Sequence, residues 1–197
     1  MRSTIIALVL AFMTLPGCMI VREGKVRPPA QWPPQQTQQQ KKSIGLTVVG
    51  EVNPNGAHQM PRAETVEAAR GQAVKAYVES GFFSSVVTSD EPTDLRADIT
   101  IIEDGSKGMG ASGVLSVLTF TMIPGYVSED LIVKTSFTNR DKKVIDSLEK
   151  KEELGFWLQF FLLFTMPFTD ATSTVTREAH YDIQRVTIVE AHNSGIF

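Results

Sequence analysis

The spacing of hydrophobic and polar positions changes period several times along this chain. Residues 43–52 (Ser-Ile-Gly-Leu-Thr-Val-Val-Gly-Glu-Val) predict a strand, and Asn53, Pro54, Asn55 and Gly56 supply turn chemistry after it. From about Arg62 to Ser80 the period becomes helical. Val66, Ala69, Ala73, Val74, Tyr77 and Val78 form one stripe, with Glu64, Glu67, Arg70, Lys75 and Glu79 mostly opposite. Gly81 stands where a helix end takes a left-handed residue. Residues 82–88 predict a second strand, Asp90-Glu91-Pro92-Thr93-Asp94 a break, and residues 97–103 a third strand. Residues 131–137 predict a fourth strand, which Asn139-Arg140-Asp141-Lys142 turns into a fifth at about 143–151. Residues 172–192 return to helical spacing, with Val175, Ala179, Ile183, Val186 and Val189 or Glu190 on one face. This order predicts an α+β domain: a mostly antiparallel sheet of about five strands with two helices on one face.

Two stretches fit none of these periods. Residues 108–128 carry no charge, and neither do residues 154–169. The first precedes the predicted fourth strand and the second follows the fifth. If those strands pair as a hairpin, both apolar inserts leave the sheet at the same end. The large side chains there are Val114, Leu115, Leu118, Phe120, Met122 and Ile123 in the first, and Phe156, Trp157, Phe160, Phe161, Leu163 and Phe164 in the second. A helix through the second would be apolar almost all round, so it needs protein or lipid around it. At about 20 Å it would be too short to cross a hydrocarbon core of about 30 Å. Three destinations remain open for these inserts: the domain's own core, a membrane or partner surface, and a site for an acyl chain.

The amino terminus adds an address. Arg2 precedes the apolar run Ile5 to Met13, the layout of a secretory signal rather than of a membrane-spanning helix. Leu15-Pro16-Gly17-Cys18 follows. This motif resembles the lipobox of bacterial lipoproteins, with Pro16 where that family has Ala, Ser or Thr. The resemblance implies that residues 1–17 are removed, that Cys18 is acylated, and that the chain is held on a membrane of the cell envelope. Met19 in place of Asp implies the outer membrane, facing the periplasm. Cys18 is the single cysteine. Residues 18–42 contain Pro28-Pro29, Pro33-Pro34 and a glutamine run, and predict an extended linker, leaving residues 43–197 as one domain. The element order is similar to that of small envelope lipoproteins that serve as accessories to transport or assembly machines.

Charge divides at the same boundary. The linker holds Arg22, Lys25, Arg27, Lys41 and Lys42 against Glu23, whereas residues 43–197 hold 13 Lys or Arg against 21 Asp or Glu. A basic stem suits anionic head groups, and an acidic, exported domain argues against nucleic acid.

The remaining chemistry is sparse. Gly108-x-Gly110-x-x-Gly113 has the glycine spacing of a dinucleotide loop, but the acidic residues at 129 and 130 precede their strand instead of ending it. His58, His180 and His192 have no metal-ligand spacing and are expected at the surface. Asp90, Glu91, Asp94 and Asp98, and Glu103 with Asp104, are expected as solvated turn residues. No Ser, His or carboxylate arrangement marks a catalytic centre. The expectation is therefore a non-enzymatic accessory without metal or cofactor. It contacts the membrane through Cys18 and lipid or an envelope protein through its inserts. A carrier of an apolar ligand is the alternative.

Overall fold

The computed structural model describes residues 17–35, 41–52, 60–105, 110–159 and 172–197. Among these residues the chain runs β1 (Gly17–Arg22), β2 (Lys42–Glu51), α1 (Ala63–Ser80), β3 (Phe83–Val87), β4 (Leu95–Asp104), α2 (Ala111–Leu118), β5 (Gly125–Asn139), β6 (Val144–Gln159) and α3 (Thr172–Asn193). The six strands form one sheet in the order β1-β6-β5-β4-β2-β3.

The α+β class holds, but the sheet is six-stranded and mixed. Strand pairs β1/β6, β6/β5 and β5/β4 are antiparallel, whereas β4/β2 and β2/β3 are parallel. The parallel half follows from connectivity. A strand, helix and strand in succession return the chain in its original direction. The next link, residues 88–94, then has to pass the start of β2. It does so because β3 has only five residues. Asp94 pins the passage by accepting hydrogen bonds from the Ser43 amide at 2.9 Å and the Ser43 hydroxyl at 2.8 Å. Those donors hold the Asp94 carboxyl below the usual carboxylate range. Asp94 is thus a structural clamp, where turn solvation was the sequence expectation.

Helices α1 and α3 lie side by side on one face. Helix α1 buries Ala69, Ala73, Ala76 and Tyr77, and Gly81 ends it at φ 69°, the left-handed residue its position predicts. Small residues let α1 approach the sheet closely, over Ile44, Leu46 and Val48 of β2 and Ile99 and Ile101 of β4. Ala179, Ile183 and Ile188 of α3 complete this core with Val133 and Phe137 of β5.

The amino-terminal segment departs most from expectation. Residues 17–35 lie on the body of the fold, where composition predicted an extended linker. Ile20 and Val26 enter the core, and Trp32 packs against it. A buried ionic cluster fixes the same segment. Arg22 donates to Asp182 of α3 at 2.7 Å and to Glu152 of β6 at 3.3 Å. Fully buried Glu152 also accepts from the backbone amides of Lys25 (3.2 Å) and Val26 (3.0 Å). Proline and charge made the segment look linker-like, but Met19, Ile20 and Val21 are an apolar run that pairs as an edge strand along β6.

The histidine expectation is also corrected. His180 lies in the core, where burial pushes its pKa down to about 4. His192 stacks on Phe82 with ring centroids 4.2 Å apart, and its Nδ1 lies 2.9 Å from the Phe197 carbonyl oxygen. His58 lies outside the described residues.

Candidate functional site

Strands β5 and β6 form the expected hairpin, but both are longer than their apolar alternation suggested. β5 begins at Gly125 and β6 continues to Gln159, so Gly155 to Leu158 of the second insert are strand residues. Gly125 pairs with Leu158, and Leu158 pairs on its other side with Cys18. One row across three strands therefore joins the start of β5, the end of β6 and the start of β1. The first insert enters β5 at this end, and β6 stops there at Gln159. Phe160, Phe161, Leu163 and Phe164 lie outside the described residues.

The first insert folds as α2 and a turn. Its packing inverts the usual amphipathic arrangement: Gly113 and Ser116 are buried, and Val114, Leu115, Val117 and Leu118 face outward. The cause is visible at Gly125, where an added Cβ would stand 2.5 Å from the Ser116 Cβ and 3.3 Å from the Gly113 Cα. Only small residues on both sides allow this approach. Ser116 also donates to the Leu158 carbonyl at 3.3 Å, tying α2 to both strands.

After Leu118 the chain reverses through Phe120 and Thr121 with φ values of 51° and 61°. A left-handed conformation is strained for residues with a Cβ, and more so for a β-branched one. Hydrogen bonds hold it: the Thr121 amide to the Ser116 carbonyl at 2.7 Å, the Thr119 hydroxyl to the Leu115 carbonyl at 2.8 Å, and the Ile123 amide to the Thr119 hydroxyl at 3.2 Å. The turn projects Phe120, 88% exposed, beside Leu118 at 71% and Met122 at 60%. Ile123 is exposed as well.

The second insert divides between the two faces of the sheet, because successive strand residues alternate. Phe156 points to the helix side and packs against the core. Trp157, 40% exposed, lies on the other face against Tyr126, with ring centroids 5.0 Å apart. The Tyr126 hydroxyl bonds Glu23 at 3.0 Å, and its ring fills the space a side chain at Gly155 would need. Farther along the strands come charged pairs, Lys25 with Glu153 and Lys151 with Asp130. Sequence reasoning missed Val117 and Tyr126. Val117 belongs to the same uncharged run, whereas only the register reveals Tyr126 as Trp157's neighbour.

On the helix side, Arg62, Thr65, Glu103, Glu129, Leu154, Phe156 and Thr176 line a cavity of about 260 Å³. Burial, reinforced by the nearby Glu103 carboxylate, raises the Glu129 pKa to about 7. Burial also raises that of Glu103, against a hydrogen bond from Thr65. This charged lining does not suit an acyl chain. The glycine-spaced segment forms no dinucleotide site, since β5 runs antiparallel to β4 and no strand–helix–parallel-strand unit exists there. Among the described residues no three His, Cys, Asp or Glu side chains gather to hold a metal, and no helix is long and apolar enough to cross a membrane.

No family model and no curated protein matches this chain. Among solved structures it is similar to two PelC dodecamers from Paraburkholderia phytofirmans. Each is 7% identical, covering 85% of this chain and 95% of theirs, with TM-scores of 0.36 and 0.38. It is also similar to a DUF4136 family protein from Bacteroides thetaiotaomicron, 11% identical over 89% of this chain and 96% of that one, with a TM-score of 0.36. Likeness at this level says nothing of function, which has to be read from the chain's own geometry.

Proposed function

We propose that this chain is a lipid-anchored accessory protein of the bacterial cell envelope. Its work is to dock, not to catalyse. Acylated Cys18 holds it, at the outer membrane facing the periplasm, and its exposed apolar end sits against lipid or a membrane-embedded envelope protein. One observation carries the docking role: α2 buries glycine and serine while presenting valine and leucine outward. A helix whose task is to complete its own core does the reverse. Covering each such side chain is worth about 1.5–3 kcal/mol, so the patch favours a non-aqueous neighbour. The lipobox-like Leu15-Pro16-Gly17-Cys18 supplies the address.

The full chain expressed in a double-membrane bacterium tests both parts. Labelled palmitate should enter the protein and disappear with Cys18→Ser, with the label in outer-membrane fractions. Photoreactive groups at positions 118 and 120 should yield adducts to lipid or to an envelope protein in intact cells. Absence of acylation removes the address, and absence of any adduct removes the docking role.

A further inference from the structure

Resting on the anchored reading above, we infer that the occupant of the apolar end is a phospholipid leaflet. The domain meets it edge-on, with the Cys18 acyl chains and the α2 turn entering the same leaflet. The register places them together. Cys18, Leu158 and Gly125 share one row. Strand spacing puts the anchor about 10 Å from the foot of the α2 segment. Cys18 is itself a strand residue, so the anchor joins the sheet directly. Arg22, four residues after the anchor, is held by Asp182 and Glu152, so the orientation of the domain on the surface is fixed.

Polarity along the strands distinguishes lipid from a protein partner. The tip is Leu118, Phe120 and Met122. Next come Trp157 and Tyr126, the amphipathic rings that suit a head-group boundary. The pairs Lys25–Glu153 and Lys151–Asp130 follow, about 17 Å from the Leu158 row at the spacing of strand residues. Apolar, then aromatic, then ionic is the order met on leaving a bilayer. Two hydroxyls of the α2 segment fit the same neighbour. Ser116 and Thr119 spend their hydroxyls on carbonyls of this chain. Hydrocarbon requires that internal satisfaction, whereas a protein interface typically adds a hydrogen bond every 100–200 Å² or so. Helix α2, with 8 residues and thus about 12 Å, reaches into one leaflet only.

The chain's two tryptophans, Trp32 and Trp157, provide the test. Acylated full-length protein is placed in vesicles of phosphatidylethanolamine and phosphatidylglycerol containing lipids brominated on their acyl chains. With Trp32→Phe, emission from Trp157 should shift to the blue and be quenched. With Trp157→Phe, emission from Trp32 should be unaffected. Without acylation, in Cys18→Ser, the combined change Leu118→Ser, Phe120→Ser and Met122→Ser should weaken vesicle partitioning by about tenfold or more. Acylated protein that floats with vesicles while Trp157 stays unquenched overturns the inference and leaves the anchored reading intact. So does quenching that fails in lipid alone while positions 118 and 120 crosslink to an envelope protein. An N-terminal peptide lacking acyl mass overturns both.

Discussion

Helices α1 and α2 occupy one small fold and follow opposite rules. Helix α1 turns Ala69, Ala73, Ala76 and Tyr77 inward, and its charged residues lie mainly on the outer side. Helix α2 turns Gly113 and Ser116 inward and keeps its large aliphatic residues outside. The first is consumed by the domain's own core. The second is attached by backbone proximity and leaves its hydrophobic surface available. Apolar composition alone therefore does not say where a helix will face; the size of the residues at its contact row does.

The contrast breaks most visibly in α1. Tyr77→Ala removes a fully buried ring stacked near Phe83 and should cost about 3–5 kcal/mol in urea unfolding. Gly125→Ala tests the seat of α2. The new methyl collides with Ser116, and a loss of about 1–3 kcal/mol is expected. Ser116→Gly alone loses the bond to Leu158, so the clash shows in a double-mutant cycle: the two losses together should fall short of their sum by about 1 kcal/mol, and additive losses would show that the tight approach is not what seats α2.

A pH series sharpens the boundary between the two regions. The folded pKa of Glu129, about 7, lies above its unfolded value near 4.5, so the folded state binds the extra proton. Its contribution to stability is present below about pH 4.5 and is lost as pH rises towards 7. Glu103, Asp104 and Arg62 are the charges that act on it. His180 works oppositely: with a folded pKa of about 4, its contribution is lost as pH falls from about 6.5. Glu129→Gln should therefore gain on the parent by about 1 kcal/mol between pH 4.5 and 7, discounting for the group's partial exposure. Denaturation midpoints measured across that range check it. The smallest stability effect belongs to Leu118→Ser and Phe120→Ser, each within about 0.5 kcal/mol of the parent. A large loss there would mean that α2 belongs to the core after all.

Where periodicity was strong, the sequence was readable. The 3.6-residue spacing placed α1 and α3 within a residue or two, and Gly81 marked the end of α1 through its left-handed backbone. The hairpin, and the departure of the first insert from the end where β6 stops, also followed from the order of strands and turn. The extent of β6 did not, because Gly155 to Leu158 read as part of an apolar insert rather than as an alternating strand. His180 escaped for a different reason. A buried imidazole on a helix looks like a surface one until its neighbours are known.

By itself, the chain's pattern determined the α+β class, the order of β2 to β6 with α1 and α3, and the presence of two uncharged inserts, because these are local matters of spacing and composition. Tertiary structure decided that β2, β3 and β4 run parallel and that residues 17–22 form an edge strand. It also decided that α2 faces outward. Each depends on a contact between distant residues: Ser43 with Asp94, Arg22 with Glu152 and Asp182, and Gly125 with Ser116. Such contacts are fixed by packing in three dimensions and leave no periodic trace along the chain.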